Sequence, residues 1–71
     1  MTNRELLRDA ISSRGLRMKY LAERIGITPQ AFSSKMVGKS EFTLYEVGVL
    51  RTIMSLSAEE TDAIFFGNAE A

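Results

Sequence analysis

Cysteine and histidine are both missing from this chain of 71 residues. Without them there is no disulfide staple and no thiolate or imidazole metal site, so a domain of this size must be held by helix packing. Long apolar runs are missing too. No stretch approaches the roughly 20 residues that cross a membrane, and the N-terminal MTNRELLRDA has no apolar segment of the secretory type. The expectation is a soluble, cytoplasmic protein. Nowhere do apolar and polar residues alternate with period two, so no sheet is expected. Net charge is zero, which on its face argues against a nucleic-acid partner.

The zero hides a division. Residues 1–40 carry eight basic residues (Arg4, Arg8, Arg14, Arg17, Lys19, Arg24, Lys35 and Lys39) against Glu5, Asp9 and Glu23, a balance of +5. Residues 41–71 carry Arg51 against six acids, a balance of −5. Such asymmetry points to an electrostatic footprint on one face, against the plainer reading that both halves are simply solvated. Hydrophobic residues make up 45% of the chain, enough for a globular core rather than disorder. One domain spanning 1–71, ordered from about residue 3 to residue 66, accounts for the whole length.

The most informative stretch is MKYLAERIGITPQAFSSKMV, residues 18–37. It reads as two short helices joined by a tight turn. Ala22 is small where a second helix must cross closely, and Gly26 can take the left-handed conformation that ends one helix. Leu21, Ile25, Ile27 and Phe32 are the apolar positions that lock the pair. Thr28 followed by Pro29 is a start signal, a hydroxyl cap before a residue with preset φ and no N–H to satisfy. The helix that follows carries Phe32 and Met36 on one side, with Gln30, Ser33 and Ser34 on another, a short polar face sized for a major groove.

The rest of the chain divides by its caps and stops. Thr2 and Glu5 fit a capping box, predicting a first helix from Asn3 with Leu6, Leu7, Ala10 and Ile11 on its apolar face. Gly15 stops it, with Leu16 folding back. Helices are then predicted over about Met18–Ile25, begun by Arg17, a poor cap, and over about Pro29–Val37. Gly38-Lys39-Ser40-Glu41 reads as a polar loop and Phe42 as a core anchor. Thr43 and Glu46 make a second capping box for a helix over about Leu44–Met54, with Leu44, Val47, Leu50, Ile53 and Met54 apolar. Gly48 within it suggests a close helix crossing. Ser57 and Glu60 make a third box for a helix over about Ala58–Phe66, ended by Gly67, and Asn68–Ala71 are expected to fray. The fold class is all-α, a compact bundle of five helices.

These residues resemble the lambda-repressor/Cro-like helix-turn-helix family, the XRE type, and within it small regulators encoded by phages and prophages. The resemblance lies in LAERIGIT at 21–28, SSKMVGKSEFT at 33–43, Glu46, and the closing S-x-E-E-x-x-x-I-F-F at 57–66. It implies a lambda-repressor-like domain that binds double-stranded DNA by sequence and regulates transcription, as a repressor or Cro-like protein. By position it implies base contacts from Gln30, Ser33 and Ser34. Backbone contacts fall to Arg17, Lys19 and Thr28, and to Gly38, Lys39 and Ser40 in the loop after the third helix. Pro29 stands where many relatives carry a polar residue and offers no hydrogen bond to a base, so one readout contact is lost; Val37 stands where asparagine is frequent and weakens the loop's polar anchoring, which bears on affinity rather than fold.

Chemistry and alternatives can be set beside each assignment. Gln30 suits a bidentate contact to adenine, whereas Ser33 and Ser34 pair with any base, with phosphate, or with their own helix. Lys35 and Lys39 are flexible charges suited to phosphate, or solvated surface lysines. Arg4 and Arg8 can pair with Glu5 and Asp9, and Tyr20 reads as a half-buried packing ring. Ile64, Phe65 and Phe66 cannot all face one core, since helical neighbours point about 100° apart. They are candidate dimer contacts, unless the last turn folds onto the first helix. A rival reading keeps the fold but makes it a protein-interaction module with little DNA affinity, its acidic second half the working surface. An enzyme is not expected, for the carboxylates sit at caps or exposed positions without convergent spacing. No cofactor, metal, membrane or small-molecule ligand is implied.

Overall fold

The computed structural model describes residues 2–67. They form five helices, α1 (Arg4–Ser13), α2 (Met18–Ile25), α3 (Pro29–Met36), α4 (Leu44–Met54) and α5 (Ala58–Phe65), with no strand among the described residues. Asn68–Ala71, read from the sequence as a frayed end, lie outside the described residues.

Caps set the starts. Thr28, Thr43 and Ser57 each accept the N–H three residues on, and Glu46 and Glu60 complete capping boxes by accepting the Thr43 and Ser57 N–H groups. Arg17 precedes α2 without a side-chain cap bond. At α1 the expected box is corrected. Asn3, not Thr2, is the cap, its Oδ1 accepting the Leu6 N–H at 3.0 Å. The Asn3 N–H is given to the Ile64 carbonyl at 2.6 Å, so a tertiary bond to α5 decides between two adjacent cap residues.

One device ends four of the helices. A residue in the left-handed region lets the next N–H reach back five residues: Leu16 to Ile11, Ile27 to Ala22, Lys39 to Ser34 and Leu56 to Arg51, at 2.9–3.0 Å. Gly15, Gly26 and Gly38 supply the positive φ for the first three, and Ser55 for the fourth, at φ 55°. Helix α3 stops at Met36 and α5 at Phe65, so Val37 and Phe66 are C-caps rather than helical residues.

Helix α2 packs on α3 and α4, and α5 packs on α1 and α4. The core runs through all five, with Leu7, Leu21, Phe32 and Leu50 fully enclosed. Phe42 joins it from the loop after α3, edge-on to Phe32 at 5.4 Å and to Phe65 at 5.5 Å. Such edge-to-face pairs add about 0.5–1.5 kcal/mol each beyond buried area.

Three further expectations are corrected. Gly48 is not at a helix crossing: it is exposed, and a Cβ built there meets nothing within 4 Å. Leu44 is not on the apolar inner face but lies 79% exposed, and Leu6 is also partly outside. Ile64 and Phe65 are buried in this chain's own core, leaving Phe66 as the exposed member of the trio. Candidate dimer contacts at Ile64 and Phe65 are thereby withdrawn, because α5 wraps onto α1 through the Asn3–Ile64 bond.

Candidate nucleic-acid interface

Helix α3 begins where Thr28 Oγ1 accepts the Ala31 N–H at 3.0 Å and Pro29 occupies the first helical position. Phe32 and Met36, one turn apart, are driven inward, and this fixes how the helix is rotated. Gln30 and Ser33 are then exposed, and Ser34 half-buried. None of these three side chains has a hydrogen-bond partner among the described residues, so their polar groups are free for a ligand. Val37 lies seven residues after Gln30, two helical turns along the same line, and is 45% exposed. Sequence reasoning counted Val37 only as a lost polar anchor. An exposed methyl pair in line with Gln30 is instead suited to a thymine methyl group.

Cations stand at both ends of the α2–α3 unit. Arg17 and Lys19 at the start of α2 are exposed and in no ion pair among the described residues. Beyond α3, Gly38 takes φ 91° and leads into exposed Lys39 and Ser40. Thr28 is exposed but its oxygen is engaged in capping. Arg24 donates to the Tyr20 hydroxyl at 2.9 Å and lies 5.8 Å from that ring's centre, which ties the two together on α2.

Lys35 is a different case from the other cations. Its ammonium donates to both carboxylate oxygens of Glu46, at 2.7 and 2.9 Å, and neither side chain is more than 15% exposed. Its assignment to phosphate is corrected accordingly: the charge is held inside the protein, across α3 and α4. Burial raises the Glu46 carboxyl, but hydrogen bonds from Lys35 and the Thr43 N–H together outweigh it and hold the group below its ordinary value. The pair was invisible in the sequence because its members are joined only by tertiary packing.

Arg14 was also missed. Its Nε donates to the Met54 carbonyl at 2.6 Å and its Nη2 pairs with Glu60 at 3.2 Å, fastening the end of α1 to the end of α4 and the start of α5. Arg4 and Arg8 form no ion pair with Glu5 or Asp9. Among the described residues no three metal-ligating side chains come together, and no helix is long and apolar enough to cross a membrane.

Comparison with protein-family models, with curated proteins and with solved structures finds no match to this chain.

Proposed function

We propose that α2 and α3 form a helix-turn-helix of the lambda-repressor type, and that the protein is a sequence-specific double-stranded DNA-binding regulator of transcription. The observation that carries this reading is the outward face of α3. Gln30 and Ser33 stand there without internal partners, opposite a helix side rigidly buried through Phe32 and Met36. A helix so held can lie in a major groove and present its first turns to base edges. Gln30 offers the paired donor and acceptor that match adenine, and Val37 the apolar contact that matches thymine. Arg17, Lys19 and Lys39 supply uncompensated charge for phosphates on either side, fixing register without reading sequence. Regulation then follows from occupying a promoter.

Selection by the full chain from a pool of random duplexes tests this. One motif is expected to be enriched. Gln30→Ala should relax a single base position by about 1–3 kcal/mol, while Lys39→Ala should weaken every sequence alike. A chain that enriches no motif and is not held by duplex DNA even at about 50 mM salt is not a DNA-binding regulator.

A further inference from the structure

Two of the eight residues of α3 are buried, Phe32 and Met36. They lie one turn apart, so they form a single line of contact along the helix. One line fixes where a helix lies but leaves it free to rock about that line. Rocking would swing Gln30 and Val37, which project from the outer side, sideways together. A third contact off the line stops it, and Lys35 supplies one. It stands about 60° round the helix from Phe32 and about 100° from Met36, and both Glu46 oxygens hold its ammonium.

Glu46 is itself fixed from two sides. Its Oε1 accepts the Thr43 N–H at 2.9 Å as well as the Lys35 ammonium. One carboxylate therefore ties the last turn of α3 to the first turn of α4. Between those turns runs the loop with Gly38, Lys39 and Ser40, all exposed. The loop is held at its ends, by the Lys39 N–H on the Ser34 carbonyl at 2.9 Å and by the Phe42 ring against Phe32 and Phe65. The ion pair spans it from side to side.

We infer that Lys35 and Glu46 are positioning residues: their pair sets the roll of α3 and the seat of the loop after it, and so determines how sharply the chain tells one duplex sequence from another. The role rests on the DNA-binding reading and adds to it two side chains placed away from the nucleotides. Readout of base edges needs groups held within about 0.5 Å and 10–20° of the productive geometry by their supporting neighbours. A phosphate contact from a flexible lysine tolerates more. An ion pair suits this task better than it suits stability. Its net gain over an apolar replacement is small, but its short bonds fix a direction, which apolar burial does not. Discrimination and general affinity for duplex DNA should therefore respond differently when the pair is removed.

The full chain and its variants are compared on two duplexes, the selected motif and a scramble of the same composition. Salt is held constant, and the temperature is one at which circular dichroism shows each chain folded. Lys35→Met should lower the preference for the motif at least about tenfold, the size of one mismatched base pair. Binding to the scramble should change by less than about twofold. The double variant Lys35→Met, Glu46→Leu, with no charge left uncompensated, should lose the preference as well, and it carries the test should the single variant not fold. Arg14→Met is the control. It removes the same formal charge and breaks the Arg14–Glu60 pair, which joins α1 to α5 rather than to α3, so its preference should stay at the wild-type value. Preference retained in the Lys35 variants overturns the inference and leaves the DNA-binding reading standing. An equal fall in Arg14→Met overturns it too, since general loosening would then suffice. A wild-type chain that binds motif and scramble alike removes sequence reading itself, and the role of the pair with it.

Discussion

Lys35 and Glu46 bring two full charges into a part of the molecule where neither side chain has much water. Such a pair contributes little net stability against an apolar replacement, but breaking it leaves the survivor uncompensated. Glu46 is the costlier survivor, being 7% exposed as a residue. Lys35→Met should therefore destabilise the fold by about 3 kcal/mol, the low end for a buried pair because the Thr43 N–H still bonds Glu46. The double variant Lys35→Met, Glu46→Leu should recover a good part of that loss. Urea unfolding of the three chains checks both statements, and equal instability of single and double variants would mean the capping role of Glu46 dominates. The same carboxylate makes a pH prediction. Its folded value lies below the ordinary 4.5, so the folded state favours the ionised form. That stabilisation is fully present above 4.5 and drains away as pH falls through the lowered folded value. Glu60 acts in the same direction, lowered first by the Ser57 N–H and then by Arg14. Glu46→Gln should flatten the acid limb of the stability profile, leaving the portion due to Glu60.

At the scale of the element, the four similar helix ends invite comparison. Three use glycine at positive φ and one uses Ser55. A side chain in that region costs about 1–2 kcal/mol. Ser55→Gly should raise stability by somewhat less than that, about 1 kcal/mol, after the flexibility glycine adds to the unfolded chain is subtracted. Gly26→Ala should lower stability by about 1–2 kcal/mol, for the converse reason, at φ 82°. Gly48→Ala should add about 1 kcal/mol, since its backbone is helical and the space is open. Thermal or urea melts of these variants provide the measurement. These ends explain why so much of the fold was legible in the chain. Caps and stops are local chemistry, so Thr28-Pro29, Thr43 with Glu46, Ser57 with Glu60, and Gly15, Gly26 and Gly38 locate the helices without any knowledge of packing. Misreadings arose where local chemistry is degenerate. Thr2 and Asn3 are both good caps, and only the carbonyl of Ile64 chooses between them. A glycine within a helix signals either a close crossing or an open surface, and Gly48 is the second. For the candidate interface, Gln30 and Ser33 were readable because Phe32 and Met36 fix the rotation of α3. The engagement of Lys35 was not, because it depends on where α4 comes to rest.

For the whole molecule, the formal balance of zero is assembled from a basic first part and an acidic second part. The two ion pairs among the described residues cross that division, Arg14 to Glu60 and Lys35 to Glu46. They engage two of the cations and leave Arg17, Lys19, Arg24 and Lys39 around the α2–α3 unit, with Arg24 held against Tyr20. On the proposed reading, three phosphate contacts per protomer give a log–log slope of affinity against salt of about −3. Lys39→Ala should bring that slope to about −2. Lys35→Met is the informative control. It removes a formal positive charge only four residues before Lys39, so a description by net charge alone expects the same change. The Lys35–Glu46 pair expects otherwise, because that ammonium is already neutralised inside the protein. Measured on the selected duplex, at a temperature where the variant retains its helix content, Lys35→Met should leave the slope at the wild-type value. A slope reduced as far as by Lys39→Ala would show that Lys35 leaves Glu46 to reach phosphate when DNA arrives. A wild-type slope near zero would remove phosphate contact altogether, and with it the role assigned to Arg17, Lys19 and Lys39.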